Sequence, residues 1–266
     1  MFWKEGAMKD LGKIRKVAVC AAYKAGAYAI KNLGKIKEIS HKNGHNNLVT
    51  NVDKKCEKMI VSMIKKHFPE HSILAEEGGE LLLRDDFKWI IDPLDGTTNY
   101  AHALPIFCVS IAVAYKDDVK FGVVYDPARD EMFEAEEGKG AYLNGKKISV
   151  SKIDKIPDSL MVTGFAYDMD TRKKNLDFMR KMLEKAQAVR RLGAAAIDLC
   201  YVACGRFEGF WEFGLAPWDT AAGQLIVKEA GGKISTLDNG KFDIFQKQIV
   251  ATNGMIHAEM IKLLNV

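Results

Sequence analysis

The sequence predicts two joined layers of secondary structure, α+β over residues 1–155 and α/β over residues 156–266. Two observations carry that class. Up to residue 150 two helical patterns precede a run of strand patterns, whereas from about residue 158 strands and helices alternate. The chain is also long enough, at 266 residues with 48% hydrophobic and 28% charged, to bury a core without disulfide or metal staples.

The elements follow in order. Ile14, Val17, Ala18, Ala21, Ala25, Tyr28 and Ala29 recur at helical spacing with lysines between them, which predicts a helix over 10–31. The polar run 40–47 reads as an exposed loop. Thr50 with Asp53 three residues later reads as a capping box. Val52, Cys56, Met59, Ile60, Met63 and Ile64 continue that helix, which stops before Pro69. Strands are predicted at 72–75, ending at Glu76-Glu77-Gly78-Gly79, and at 87–91, ending at Asp92-Pro93. A β-rich pair at 106–115 and 119–125 follows, then strands at 131–135 and 141–150 with a tight Asn144-Gly145 turn. The second layer reads as strand 159–164, helix 171–185, strand 187–191, helix 194–204, strand 207–213 and helix 217–230. Short strands at 233–235 and 248–252 and a helix at 254–264 complete it.

Composition sets limits on function. Residues 1–42 hold ten Lys/Arg against three acids, a local charge of +7 in a chain of net +4. Such a start suits phosphate attraction or a solvated helix face. No apolar run approaches a membrane span, and the first residues lack a secretory pattern. The five cysteines are odd in number and set among apolar residues, which suggests reduced, buried thiols in a cytoplasm.

The chemistry concentrates at Trp89 through Tyr100. A buried strand delivers Asp92, Asp95 follows across a proline turn, and Gly96-Thr97-Thr98 opens a helix whose free N–H groups suit an anion. Carboxylates beside an anion need cations between them, and Mg²⁺ meets that need with oxygen ligands and phosphate. A capping Asp95 and a turn Asp92 explain the same residues. Glu76-Glu77 would lie beside Asp92 if the two strands pair, and is otherwise a solvated turn. Asp219, behind Pro217 at a helix start, suits either the macrodipole or a metal.

Glu76-Glu77, Trp89 through Tyr100 and Trp218-Asp219-Thr220-Ala221-Ala222-Gly223 together resemble the inositol monophosphatase family. That family belongs to the Mg²⁺-dependent, Li⁺-sensitive sugar-phosphate phosphatases. Leu48-Val49-Thr50 with Asp53, Gly138-Lys139-Gly140-Ala141 and Glu229-Ala230-Gly231-Gly232 match in the same order. The resemblance implies an αβαβα layered sandwich with the site between its halves. It implies that Glu76, Asp92 and the Leu94 carbonyl hold one Mg²⁺, and that Asp92, Asp95 and Asp219 hold a second. A third, weaker ion would lie near Glu76 toward the 40–47 loop, with Glu77 supporting the shell. Thr97 and Glu76 would orient and deprotonate the attacking water, and Gly96 and Thr97 N–H groups would bind the phosphate. Gly193, Ala194 and Ala195 would line the sugar pocket, and Glu212 would accept hydrogen bonds from ring hydroxyls. Two departures stand out. Ala194 replaces a common Ser or Thr. Asn47 replaces a usual Asp, which implies a weaker third site and a higher Mg²⁺ requirement.

The expected activity is hydrolysis of inositol 1-phosphate without a phosphoenzyme, by a homodimer. Fructose 1,6-bisphosphate, histidinol phosphate and 3′-phosphoadenosine 5′-phosphate are alternative substrates within the family; no stacking groups for a nucleotide are legible. The alternative of another class is an RNA- or transcription-associated binding platform using the basic residues 4–42. Against it, the metal ligands are intact and no RNA-recognition motif is evident, so nucleic acid is not the expected main partner.

Overall fold

Alternating burial along the strands separates three cores, and these define the layers. The computed structural model describes residues 5–36, 38–41, 48–83 and 85–264. The first half runs α1 (Glu5–Asn32), β1 (Ile39–His41), β2 (Leu48–Thr50), α2 (Asn51–His67), β3 (Ser72–Ala75), β4 (Gly79–Leu81), β5 (Phe87–Asp95) and α3 (Thr97–Ala101). It continues through β6 (Cys108–Tyr115), β7 (Asp118–Asp126), β8 (Glu131–Glu136), β9 (Gly140–Leu143) and β10 (Lys146–Lys147). The second half runs β11 (Leu160–Thr163), α4 (Met169–Leu183), β12 (Ala188–Arg190), α5 (Ala195–Ala203), β13 (Gly209–Phe213) and α6 (Pro217–Glu229). It ends with β14 (Lys233–Ser235), β15 (Gln248–Thr252) and α7 (His257–Leu264).

The large sheet has the order β10-β9-β8-β7-β6-β5-β3-β4, and the small sheet β12-β11-β13-β15-β14. On β5, Trp89 and Ile91 turn toward α1 and α2, whereas Ile90 joins the core around α5 and α6. On β13, Phe210 joins that same central core while Trp211 packs with Met182 of α4 and Met260 of α7. Period-2 burial thus stacks helices, sheet, helices, sheet, helices, the αβαβα sandwich that the resemblance implies.

Thr50 caps α2 as expected: its hydroxyl accepts from the Val52 and Asp53 N–H groups, and Asp53 returns the bond to the Thr50 backbone. Asn144 and Gly145 both have positive φ and turn β9 into β10.

Several boundaries differ from the sequence reading. The strand expected over 141–150 stops at Lys147. The Glu76–Gly79 turn folds back into β4, paired with β3, and β1 pairs with β2 across the expected loop. These strands are three residues long, too short to show alternation. Cys20 is exposed rather than buried, because it faces away from the α1 stripe.

Candidate active site

β3 and β5 pair in parallel, with Ala75 opposite Ile91, and the Glu76 N–H donates to the Ile91 carbonyl at 3.2 Å. Glu76 therefore leaves its strand beside Asp92. β5 does not end at Asp92-Pro93 as expected. It runs to Asp95, with pairing to β6 interrupted between Asp92–Ser110 and Asp95–Cys108. Pro93 has no N–H to donate and falls within that bulge, where no ladder bond is needed. The bulge buries both aspartates at the strand's end.

Backbone donors hold the carboxylates. The Leu94 N–H donates to Asp92 Oδ1 at 2.9 Å, and the Ala196 N–H of α5 to Asp95 Oδ2 at 2.8 Å. Gly96 turns the chain into α3 with φ 93°, and a Cβ there would lie 2.8 Å from the Ile106 carbonyl oxygen. Glycine alone meets both demands. Asp219 caps its own helix, accepting from the Ala216 N–H at 2.7 Å, as its place in the first turn foretold, and it also lines the cavity. The Ser110 hydroxyl donates to the Trp218 carbonyl at 3.3 Å and ties that first turn to β6. Asn99 Nδ2 donates to the Ile106 and Leu192 carbonyls at 2.9 and 2.8 Å, joining α3 to the turn before α5.

Glu76, Asp92, Leu94, Asp95, Gly96, Thr97, Gly193, Ala194, Ala195, Glu212 and Asp219 line one cavity of about 220 Å³. Glu77 is not in that lining; its N–H donates to Glu57 Oε2 at 2.8 Å and anchors the Glu76-Glu77 turn on α2. Asn47 lies outside the described residues. Glu212 lies flat against Gly164, where a Cβ would come within 2.2 Å of its carboxylate.

Burial, then repulsion from Glu76, Asp95 and Asp219, pushes Asp92 well above the usual carboxylate range. Burial raises Asp95 to about 7 against the Ala196 N–H. Glu212 is raised by burial, then by Asp219 and Asp95, with Arg191 opposing. Carboxylates crowded this way suit a hard cation with oxygen ligands. Among the described residues no three His, Cys, Asp or Glu side chains already close on a common point, so the set is a lining rather than a finished cage.

One residue escaped the sequence reading in its second role. The Thr97 hydroxyl lies 2.9 Å from Asp53 Oδ1 and 3.0 Å from the Leu94 carbonyl oxygen. Asp53 is fully buried, its other oxygen accepts from the Thr50 hydroxyl, and burial raises its pKa. The capping box explained Asp53 completely as a sequence feature. The matched Leu48-Val49-Thr50 segment was the only sign of a further role.

The family model described as the inositol monophosphatase family matches residues 10–265. The chain belongs to the inositol monophosphatase family. It is a phosphatase with the family's layered fold. It is 46% identical to the inositol-1-monophosphatase of Synechocystis sp. PCC 6803, over 96% of this chain and 90% of that protein. It is 43% identical to the Nus factor SuhB of Escherichia coli K12, over 92% and 93%. The solved inositol monophosphatase of Anabaena (Nostoc) sp. PCC 7120 superposes with a TM-score of 0.86 at 42% identity, covering 96% of each chain. A solved IMPase/NADP phosphatase complexed with Mg²⁺ and phosphate superposes with a TM-score of 0.85 at 27% identity, again over 96% of each.

Proposed function

We propose that the protein hydrolyses inositol 1-phosphate to inositol and phosphate in the presence of Mg²⁺, through a water nucleophile and no phosphoenzyme. The observation that carries this is the convergence of Glu212 with Glu76, Asp92, Asp95 and Asp219 on one cavity beside the start of α3. Glu76, Asp92 and the Leu94 carbonyl would hold one ion, and Asp92, Asp95 and Asp219 another. Mg²⁺ in the solved relative supports that ligand role. Bound Mg²⁺ neutralises phosphate oxygens and acidifies water.

The chain's own groups do the rest. The Gly96 and Thr97 N–H groups bind phosphate oxygens. Thr97, fixed by Asp53, orients the attacking water, and Glu76 takes its proton. Glu212 accepts hydrogen bonds from ring hydroxyls while Gly193, Ala194 and Ala195 wall the sugar. Homodimer formation, Li⁺ sensitivity, a cytoplasmic location and a division between halves at residue 155 belong to the same reading.

A substrate panel tests it: inositol 1-phosphate, fructose 1,6-bisphosphate, histidinol phosphate and 3′-phosphoadenosine 5′-phosphate, each with wild type and Glu212→Gln. Inositol 1-phosphate leads, and its kcat/KM falls about tenfold or more in the variant. An unchanged kcat/KM removes Glu212 from polyol recognition.

The name of the E. coli relative favours a second reading, a nucleic-acid-associated factor. Two of the basic groups that it needs, though exposed, are engaged within the chain. Lys13 Nζ donates to the His67 carbonyl at 3.0 Å, and Arg15 pairs with Glu134 at 2.7 Å. RNA binding that rises steeply at low salt would support it.

A further inference from the structure

Beside the carboxylate cavity lies a second of about 830 Å³, and Leu48, Thr98, Phe165, Tyr167 and Arg191 wall both. At about 220 Å³ the first falls below the roughly 300–1,000 Å³ of pockets that enclose a drug-sized ligand, and the second falls inside that range. A body much larger than a single ring therefore needs the second volume, and the shared wall stands in its way. Leu48, Thr98 and Phe165 are half-buried in that wall, whereas Tyr167 is 51% exposed. Its ring is the part of the partition that projects into open space.

Tyr167 is held rather than loose. It lies between β11 and α4, and its backbone is fixed from both sides. Arg172 of α4 donates from Nε to the Ala166 carbonyl at 3.1 Å and from Nη2 to the Tyr167 carbonyl at 3.5 Å. Asp168 caps α4, accepting from the Thr171 N–H at 2.9 Å. Ala166 packs on Gly214, where an added Cβ would lie 2.7 Å from the Ala166 Cβ. At its far end the Tyr167 hydroxyl bonds to the Thr98 side chain of α3. The ring thus ties the exit of β11 to the residue after Thr97. A tyrosine ring moves only through two side-chain torsions with preferred wells, so one tethered at backbone and hydroxyl swings aside only by breaking that bond.

We propose that Tyr167, latched to Thr98, is a specificity-determining residue that limits the alcohol part of the substrate to a compact body. The proposal rests on the phosphatase reading above and adds to it the residue that selects by size. Tyr167 takes no part in the bond changes. It excludes bodies whose atoms would overlap its ring, and it leaves the carboxylates and the start of α3 as they are. Beyond it, Phe165 and Leu176 offer apolar surface, so a larger aromatic body gains burial once the ring is gone.

The test compares two monoesters that differ by one fused ring, phenyl phosphate and 1-naphthyl phosphate, with inositol 1-phosphate as the compact reference. The readout is kcat/KM with Mg²⁺ for wild type, Tyr167→Ala, Tyr167→Phe and Thr98→Val. The naphthyl-to-phenyl ratio cancels any loss of folded protein or of metal affinity common to both esters. In wild type that ratio is expected well below one. It should rise about tenfold or more in Tyr167→Ala, while the inositol-to-phenyl ratio stays unchanged because both bodies fit the small cavity. Tyr167→Phe and Thr98→Val, which release the latch and keep the ring, should raise it by a smaller factor, equal in the two. A wild-type naphthyl-to-phenyl ratio near one overturns the size filter and leaves the phosphatase reading standing. So does a low ratio that Tyr167→Ala retains. No turnover of any ester overturns the phosphatase reading and the size filter with it.

Discussion

Gly122 on β7 is where the large sheet touches the helix that carries Asp219. A Cβ at Gly122 would lie 2.9 Å from Ala222 Cα and 3.0 Å from the Ala222 carbonyl oxygen. Both are backbone atoms of α6, so no side-chain rotation relieves the contact. Carbon atoms pack comfortably at about 3.5–4.0 Å, so Gly122→Ala pushes α6 off the sheet by roughly 0.6–1 Å. Overpacking of this kind costs about 1–3 kcal/mol, which lowers Tm by roughly 2–5 °C in a chain of this size. The first turn of α6 moves with the helix, and Asp219 shifts against Asp92 and Asp95. A misplacement near 1 Å costs up to about a hundredfold in rate. The assay is a Mg²⁺ titration of phosphate release, paired with thermal unfolding. The expected result is a raised Mg²⁺ half-saturation and a lowered kcat, beyond what the fraction unfolded explains. Gly12→Ala is the control, since a Cβ there meets nothing within 4 Å. It should leave activity alone and add up to about 1 kcal/mol through helix propensity. A Gly122→Ala enzyme with wild-type Tm and Mg²⁺ dependence would refute the argument that this contact sets the position of Asp219.

Three further outcomes are expected. Asp53→Asn leaves Thr97 without its charged partner, so steady-state kinetics should show kcat reduced by about a hundredfold with KM little changed; a KM effect alone would contradict the positioning role. His257 is buried between the Ser235 and Thr252 hydroxyls at 3.0 and 2.9 Å, and burial lowers it to about 4. The unfolded chain then takes the proton first as pH falls, so stability is full above about pH 6.5 and declines toward pH 4. The loss is about 2 kcal/mol at pH 5, and urea unfolding of wild type against His257→Gln at pH 7.5 and 5.0 should show it as a slope missing in the variant. Asn47→Asp should lower the Mg²⁺ concentration needed for half-maximal rate, and an unchanged Mg²⁺ curve would count against a weakened third site.

Much of this architecture was legible because each signal was local. The α1 stripe, the Thr50–Asp53 box and the Asn144-Gly145 turn each specify structure within a few residues, and each appears where the pattern puts it. That Glu76 lies beside Asp92 was legible once the two were read as ends of neighbouring strands, which the β3–β5 pairing bears out. What escaped depends on long-range contact. Pro93 marks a strand end on local grounds, but the β6 partner absorbs it in a bulge. Asp53 meets Thr97 across 44 positions of sequence. A neighbouring cavity of about 830 Å³ lined by Phe165, Tyr167, Arg172 and Arg191 draws on α4, the chain after β11 and the turn before α5, and no spacing rule links Arg172 to Arg191.

The central claim is that the carboxylate cavity is a Mg²⁺-dependent phosphatase site. Phosphate release from inositol 1-phosphate by wild type and Asp92→Asn, with Mg²⁺ and with EDTA, tests it most directly. The account predicts turnover that needs Mg²⁺ and falls about a hundredfold or more in Asp92→Asn. Turnover that survives EDTA, or that Asp92→Asn leaves intact, would contradict it.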